Sequence, residues 1–131
     1  QVAQWMAEDG VDFVHLSLRE AWGPPPFEPE AGPVSSAVRA ALPEHVSLWA
    51  AGGIRTSADE ARARAAGVDV VVVGRAAIRH PDWAREVDQP GFEMAPTPWS
   101  REALREVAVG PGMIEYLSRF PGMVEGGAPP R

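Results

Sequence analysis

The chain contains the run Val68-Asp69-Val70-Val71-Val72-Val73-Gly74-Arg75-Ala76-Ala77-Ile78-Arg79-His80-Pro81-Asp82-Trp83. Its four consecutive valines are typical of a parallel strand covered on both faces, because a half-exposed strand alternates apolar and polar residues. At Gly74 the missing Cβ lets the backbone approach a ligand closely. Arg75 follows, and the next residues predict a short helix. A strand, a glycine and a helix N-terminus suit an anion, although a tight turn with a surface cation explains the same residues.

The composition limits the class of protein. The 131 residues suit one domain of ordinary size, and 45% hydrophobic with 23% charged residues is a globular profile. Without cysteine the chain has no disulfide or thiolate chemistry. A formal charge of −6 argues against nucleic acid as a partner. Because no apolar run has the length of a membrane span and no signal peptide is present, we expect no membrane partner and a cytoplasmic location.

The residues before the valine run show the same order of a strand, a glycine and a helix. The pattern predicts helices at 1–8, 34–42 and 58–66, strands at 11–18, 46–51 and 70–73, and a long loop at 19–32. This order predicts a parallel α/β sheet with right-handed crossovers. Gly52 and Gly53 follow the second strand as Gly74 follows the third, so both glycine corners are expected at one edge. A (β/α)8 barrel binds phosphate at such a place.

Several polar residues have structural explanations. We expect His15 to be a hydrogen-bonded core residue, and Ser17, near the end of its strand, either to touch a ligand or to cap. The run Ser57-Ala58-Asp59-Glu60 predicts a capping box, which accounts for its two carboxylates. His45 and His80 are expected at the surface or in capping positions.

The loop at 19–32 contains three consecutive prolines, which exclude a helix or an inner strand. A long loop with aromatic residues at a strand's carboxyl end suits a lid or a substrate wall, and it equally suits a stiff connector. The sequence leaves both interpretations open.

The chain changes character after Trp83. A helix continues to residue 87, an extended segment covers 92–99, and helices are predicted at 101–107 and 113–120. The sequence thus divides into a partial barrel at 1–88 and a C-terminal extension at 89–131, with a mobile tail from 121. Packing residues expected to fasten the extension to a barrel are Met94, Trp99, Leu104, Val107, Ile114 and Leu117.

Two of these motifs resemble the old yellow enzyme family of FMN-dependent NADH:flavin oxidoreductases. The likeness begins with Ala50-Ala51-Gly52-Gly53-Ile54, a corner that phosphate-binding barrels share. Its more specific part is the pattern G-R-x-x-I-x-x-P-D-W from Gly74 to Trp83. The likeness covers residues 1–87, and the three strands correspond to the sixth, seventh and eighth of a TIM barrel.

The resemblance implies a flavoprotein whose FMN phosphate is held by Gly52, Gly53, Gly74 and Arg75. In such enzymes NAD(P)H reduces the flavin, which passes a hydride to an activated alkene, the small-molecule substrate. The first five strands of the family, with the substrate-binding histidine pair and the proton-donating tyrosine, have no counterpart here. Tyr116 lies in the extension and does not inherit the tyrosine's role. No catalytic or metal-binding residue is therefore assigned, and we expect the fragment alone to be inactive.

Two other interpretations stay open. The residues also suit a phosphate-binding barrel enzyme that uses a sugar phosphate or a nucleotide. Alternatively, the chain is a non-catalytic fragment, because the opening helix has no cap and reads as cut from a longer polypeptide. Three parallel strands leave two open edges and one uncovered face, so we expect the chain to associate or unfold partly without the rest of the barrel or another copy.

Overall fold

The structure of the protein, a computed structural model, describes residues 1–128. The chain divides into two compact units, Gln1–Gly74 and Arg75–Arg131. The division into 1–88 and 89–131 stays a prediction. The first unit contains the helices and strands α1 (Val2–Glu8), β1 (Phe13–Ser17), α2 (Val34–Ala41), β2 (Ser47–Ala51), α3 (Ser57–Ala65) and β3 (Val70–Val72).

The three strands form a parallel sheet in the order β1-β2-β3. Val14 pairs with Leu48, and Trp49 pairs with both His15 and Val70. The predicted alternation of helices with parallel strands is therefore confirmed. Near the carboxyl edge Ala51 pairs with Val72, which places the chain leaving β2 beside the chain leaving β3.

One face of this sheet is covered by helices. Val14, Leu48 and Ala50 are buried on it. A core cluster joins Val14, Leu48, Leu42 and Val46 to partly buried side chains of α1 and α2. The helices cover this face because their small apolar residues, such as Ala3, Ala7 and Val38, lie against the branched strand residues.

The other face is open. Phe13 is 45% and Val70 is 37% exposed, and the Phe13 and Trp49 rings stack with centroids 4.4 Å apart. The cover on both faces that the valine run predicts is therefore not present within this chain, whereas the uncovered face expected of three parallel strands is. His15 is also exposed rather than a core residue, because it shares the open face with Phe13 and pairs with Trp49.

The start of α3 differs by one residue from the predicted cap. Thr56, not Ser57, is the N-cap: its hydroxyl accepts a bond from the Asp59 N–H, and the Asp59 side chain accepts one from the Thr56 N–H. Asp59 thus has the expected capping role. Glu60 instead pairs with Arg64 one turn later.

The second unit consists of α4 (Arg75–Arg79), α5 (Trp83–Glu86), α6 (Arg101–Glu106) and α7 (Pro111–Leu117). The Ser100 hydroxyl caps α6 by accepting a bond from the Ala103 N–H. Four of the predicted packing residues are buried in the core of this unit and Met94 packs against it, while Val107 is half-buried. That core consists of Trp99, Leu104, Ile114, Leu117, Met123 and Val124.

The segment 121–128 packs against the rest of the second unit. Met123 and Val124 are buried in the core, and Val124 forms a β-bridge with Trp99. Backbone bonds from Trp99 to Met123 and from Glu125 to Trp99 hold this segment. Two apolar side chains of 121–128 are therefore packed in this core, and the mobility of the tail stays a prediction. Residues 129–131 lie outside the described part of the chain.

Candidate functional site: two glycine corners and two cavities

The corner after β2 brings its own chain into very close contact. Gly52 has φ +142° and Gly53 has φ +71°, a region that favours glycine. A Cβ on Gly52 would lie 2.3 Å from the carbonyl oxygen of Leu18. Glycine is thus required at this position by the loop that follows β1. The side of Gly52 on which a Cβ would stand is filled by the Leu18 backbone.

The loop after β1 is fixed to this corner by backbone hydrogen bonds. The Leu18 N–H donates to the Ala51 carbonyl, and the Ala21 N–H donates to the Gly52 carbonyl, both at 2.9 Å. Ser35, at the start of α2, donates its hydroxyl to the Ala21 carbonyl at 2.6 Å. The first part of the loop is therefore anchored, whereas Phe27 further along is 95% exposed.

Gly53 contacts an aromatic ring that sequence reasoning did not assign. A Cβ on Gly53 would lie 3.3 Å from Cη2 of Trp22. The guanidinium carbon of Arg62 lies 4.4 Å from the Trp22 ring centroid, and the same guanidinium pairs with Asp59. A tryptophan in a proline-rich loop gave the only sequence signal for this arrangement.

The Asp59 carboxylate is the acid with the clearest electrostatic perturbation. Burial raises the pKa of Asp59. Hydrogen bonds from the Thr56 hydroxyl, from the Thr56 and Arg55 N–H groups and from Arg62 together lower it by more, so its pKa lies below the usual 3.8. Asp59 is thus held ionised as a structural anchor at the start of α3.

The corner after β3 is open. A Cβ on Gly74 would meet no heavy atom within 4 Å. Because Ala51 pairs with Val72, Gly53 and Gly74 both belong to the carboxyl edge of neighbouring strands, as predicted. Unlike Gly52, Gly74 leaves space beside its backbone that a ligand can fill.

Arg75 follows Gly74 directly and is the first residue of α4. Its side chain is exposed and makes no ion pair with any of residues 1–128. Within the second unit it lines a cavity of about 370 Å³ together with Leu117, Phe120, Pro121 and Met123. A guanidinium in this setting is available to bind an anion.

A second cavity lies at the carboxyl end of β1, within the first unit. Its volume is about 470 Å³. Ser17, Arg19 and Glu20 give it polar groups, and four prolines together with Val34 give it apolar walls. Ser17, for which the sequence left a ligand contact or a capping role open, lines this cavity. The polar pair Arg19 and Glu20 is a feature that the sequence analysis missed.

The remaining predicted polar residues lie elsewhere. His45 is exposed. His80 is not a surface residue: its side chain is 16% exposed, its Nε2 accepts a bond from the Ala95 N–H at 3.1 Å, and its ring meets the Phe92 edge. Tyr116 is half-exposed and packs edge-on against Phe120.

Among residues 1–128, no group of three histidine or acidic side chains is placed to hold a metal ion. In the same part of the chain, every helix is too short or too polar to traverse a bilayer. No family model matches the chain, and no curated protein matches it at a significant level.

Proposed function

We propose that this chain is the phosphate-binding, C-terminal part of an FMN-dependent NAD(P)H oxidoreductase of the ene-reductase type. The observation that carries the proposal is the pairing of Ala51 with Val72, which brings the glycine corners after β2 and β3 to one edge of a parallel sheet. Backbone N–H groups at such corners suit the oxygens of a phosphate.

The open sheet face supports the barrel part of this proposal. In a TIM barrel the helices cover the outer face and side chains of all eight strands fill the interior. Here helices cover only the face that carries Val14 and Leu48, while Phe13 and Val70 on the opposite face are exposed. As the sixth to eighth strands of a barrel, β1–β3 would bury these residues against the other five.

The residues fit FMN unequally. Gly74 leaves space beside its backbone, and Arg75 has no acidic partner among the described residues, so both suit the phosphate. Gly53 contributes a backbone corner next to Trp22. Gly52 also has a structural role, since a Cβ there would lie 2.3 Å from the Leu18 carbonyl oxygen.

FMN, when bound, would supply the hydride-transfer chemistry between NAD(P)H and an activated alkene. The protein's contribution is to hold and orient the phosphate end, through Gly53, Gly74 and Arg75. The cavity with Ser17 and Arg19 at the end of β1 offers a place for the small-molecule substrate.

The test compares FMN with riboflavin, which lacks the phosphate, by titrating each into the purified protein and following flavin fluorescence. Gly74→Val fills the open corner and Arg75→Ala removes the guanidinium. We expect each change to raise the Kd for FMN about tenfold or more and to leave riboflavin unaffected. Gly112→Val is the matched control, because a Cβ at Gly112 also meets no heavy atom within 4 Å.

Three results would contradict the proposal. The first is a protein that stays colourless with FMN. The second is an equal loss of FMN and riboflavin binding in the Arg75→Ala variant. The third is thermal stabilisation by a sugar phosphate but not by FMN, which favours a phosphosugar-binding barrel instead.

A further inference from the structure

The cavity beside Arg75 has a lining that a phosphate alone does not explain. Four of its lining residues, Leu117, Phe120, Pro121 and Met123, are apolar. Among the lining residues that the structure describes, Arg75 alone carries a charge. The volume of about 370 Å³ falls within the range of roughly 300–1,000 Å³ typical of small-molecule sites.

The charge of Arg75 is uncompensated within residues 1–128. Several other arginines in this part of the chain have acidic partners: Arg39 pairs with Asp69, Arg64 with Glu60, and Arg101 with Glu115. The neighbours of Arg75 in the cavity offer no carboxylate. An anion that binds here gains a charge-assisted hydrogen bond without displacing an existing partner.

The apolar walls are already in place. Leu117 and Met123 are buried parts of the core of the second unit, so they form a fixed surface. Phe120 is 45% exposed, and its ring packs edge-on against Tyr116 with centroids 5.0 Å apart. An apolar ligand group would cover the exposed part of Phe120 and gain by leaving water.

We propose that this cavity binds a small organic carboxylate with an apolar chain, of the medium-chain fatty-acid type. The carboxylate pairs with Arg75, and the chain lies against Leu117, Phe120 and Met123. The inference does not rest on the flavin proposal, because such a ligand contains neither phosphate nor flavin and its binding is measured on the flavin-free protein.

The experiment uses octanoate as the probe and the methyl signals of the four methionines, labelled with carbon-13, as the readout in NMR spectra. We expect octanoate to shift the Met123 signal saturably. The Met113 signal should stay in place, because Met113 is 44% exposed and does not line the cavity. Met123→Leu assigns the signal by removing it.

Two substitutions separate the charge from the apolar walls. Arg75→Leu should raise the octanoate Kd about tenfold or more and change binding of 1-octanol by less than about twofold. Phe120→Ala should weaken both probes. Arg79→Leu, on the same short helix but outside the cavity lining, is the control and should change neither.

Several outcomes would overturn the inference. One is a Met123 signal that octanoate does not move. Another is a shift of Met113 and Met123 together without saturation, which indicates non-specific binding. A third is equal binding of octanoate and 1-octanol that Arg75→Leu leaves unchanged, since the guanidinium then has no role. Unchanged Met94 and Met113 signals in each variant show that the unit remains folded.

Discussion

The guanidinium of Arg62 lies over the ring of Trp22, with 4.4 Å between its central carbon and the ring centroid. Arg62 also pairs with Asp59, and Trp22 reaches to within 3.3 Å of the Cβ position of Gly53. Helix α3, the loop after β1 and the corner after β2 are therefore linked through one arginine.

Replacing Arg62 with methionine keeps most of the side-chain length but removes the charge over the Trp22 ring. We expect Arg62→Met to lower the free energy of unfolding by about 1 kcal/mol, measured by urea denaturation. Arg85→Met is the control, because Arg85 and its partner Asp82 are 86% and 62% exposed and such pairs contribute little. An equal effect of the two changes would show that the ring contact has no energetic weight.

The stability of the protein should depend on the ionisation of Asp59. Its pKa in the folded protein lies below the usual 3.8, so the ionised form is favoured by folding. This contribution is fully present above 3.8 and disappears as the pH falls through the lower pKa of the folded state. Asp59→Asn should therefore be destabilising by about 1–2 kcal/mol near neutral pH.

The measurement is the difference in unfolding free energy between the native protein and Asp59→Asn across an acid series. The difference should be constant from neutral pH to about pH 5 and should shrink as the pH falls below the usual value of 3.8. A difference that stays constant throughout the acid range would exclude ionisation of Asp59 as its source.

An added methyl group should affect the stability of the protein very differently at the two glycine corners. Gly52→Ala places a Cβ 2.3 Å from the Leu18 carbonyl oxygen at a φ of +142°, so we expect a loss of about 3 kcal/mol or more in thermal or urea unfolding. Gly74→Ala meets no atom within 4 Å and should change stability by less than about 1 kcal/mol. Similar losses at the two positions would mean that the Gly74 corner is as crowded as the Gly52 corner.

The open sheet face should cause the chain to associate. Phe13 is 45% exposed there, and we expect Phe13→Ser to weaken self-association about tenfold in sedimentation equilibrium, because a large apolar contact is lost. Phe27→Ser is the matched control: Phe27 is 95% exposed but belongs to the loop rather than to the sheet. A native protein that sediments as a compact monomer at every concentration would contradict this prediction.

The sequence predicted the parallel sheet well because its signals are local and repeated. An alternation of helices with parallel strands is indicated by three separate features. They are the valines at 70–72, the glycines at 52 and 53, and the helical spacing of apolar residues between the strands. The strand carrying Phe13 and Ser17 also has the predicted bounds to within two residues. Both glycine corners lie where the strand ends predicted them, since parallel strands place their carboxyl ends together.

What the sequence did not reveal depends on contacts between distant residues. The crowding at Gly52 was not predicted, because its neighbour Leu18 belongs to a loop more than thirty residues earlier in the chain. The burial of Met123 and Val124 was missed because their surroundings are rich in glycine and proline, although Trp99 provides a partner strand. His80 was predicted at the surface or in a capping position, and nothing in a linear pattern shows that its partner is the Ala95 N–H.

Trp49 lies in the central strand, with its ring against Phe13 and its indole N–H bonded to the Ser47 hydroxyl. Any strand or second molecule that covers the open face would bury the exposed part of this indole. The fluorescence emission wavelength of Trp49 can be isolated by replacing the other four tryptophans with phenylalanine. It then reports whether the open face of the sheet is covered.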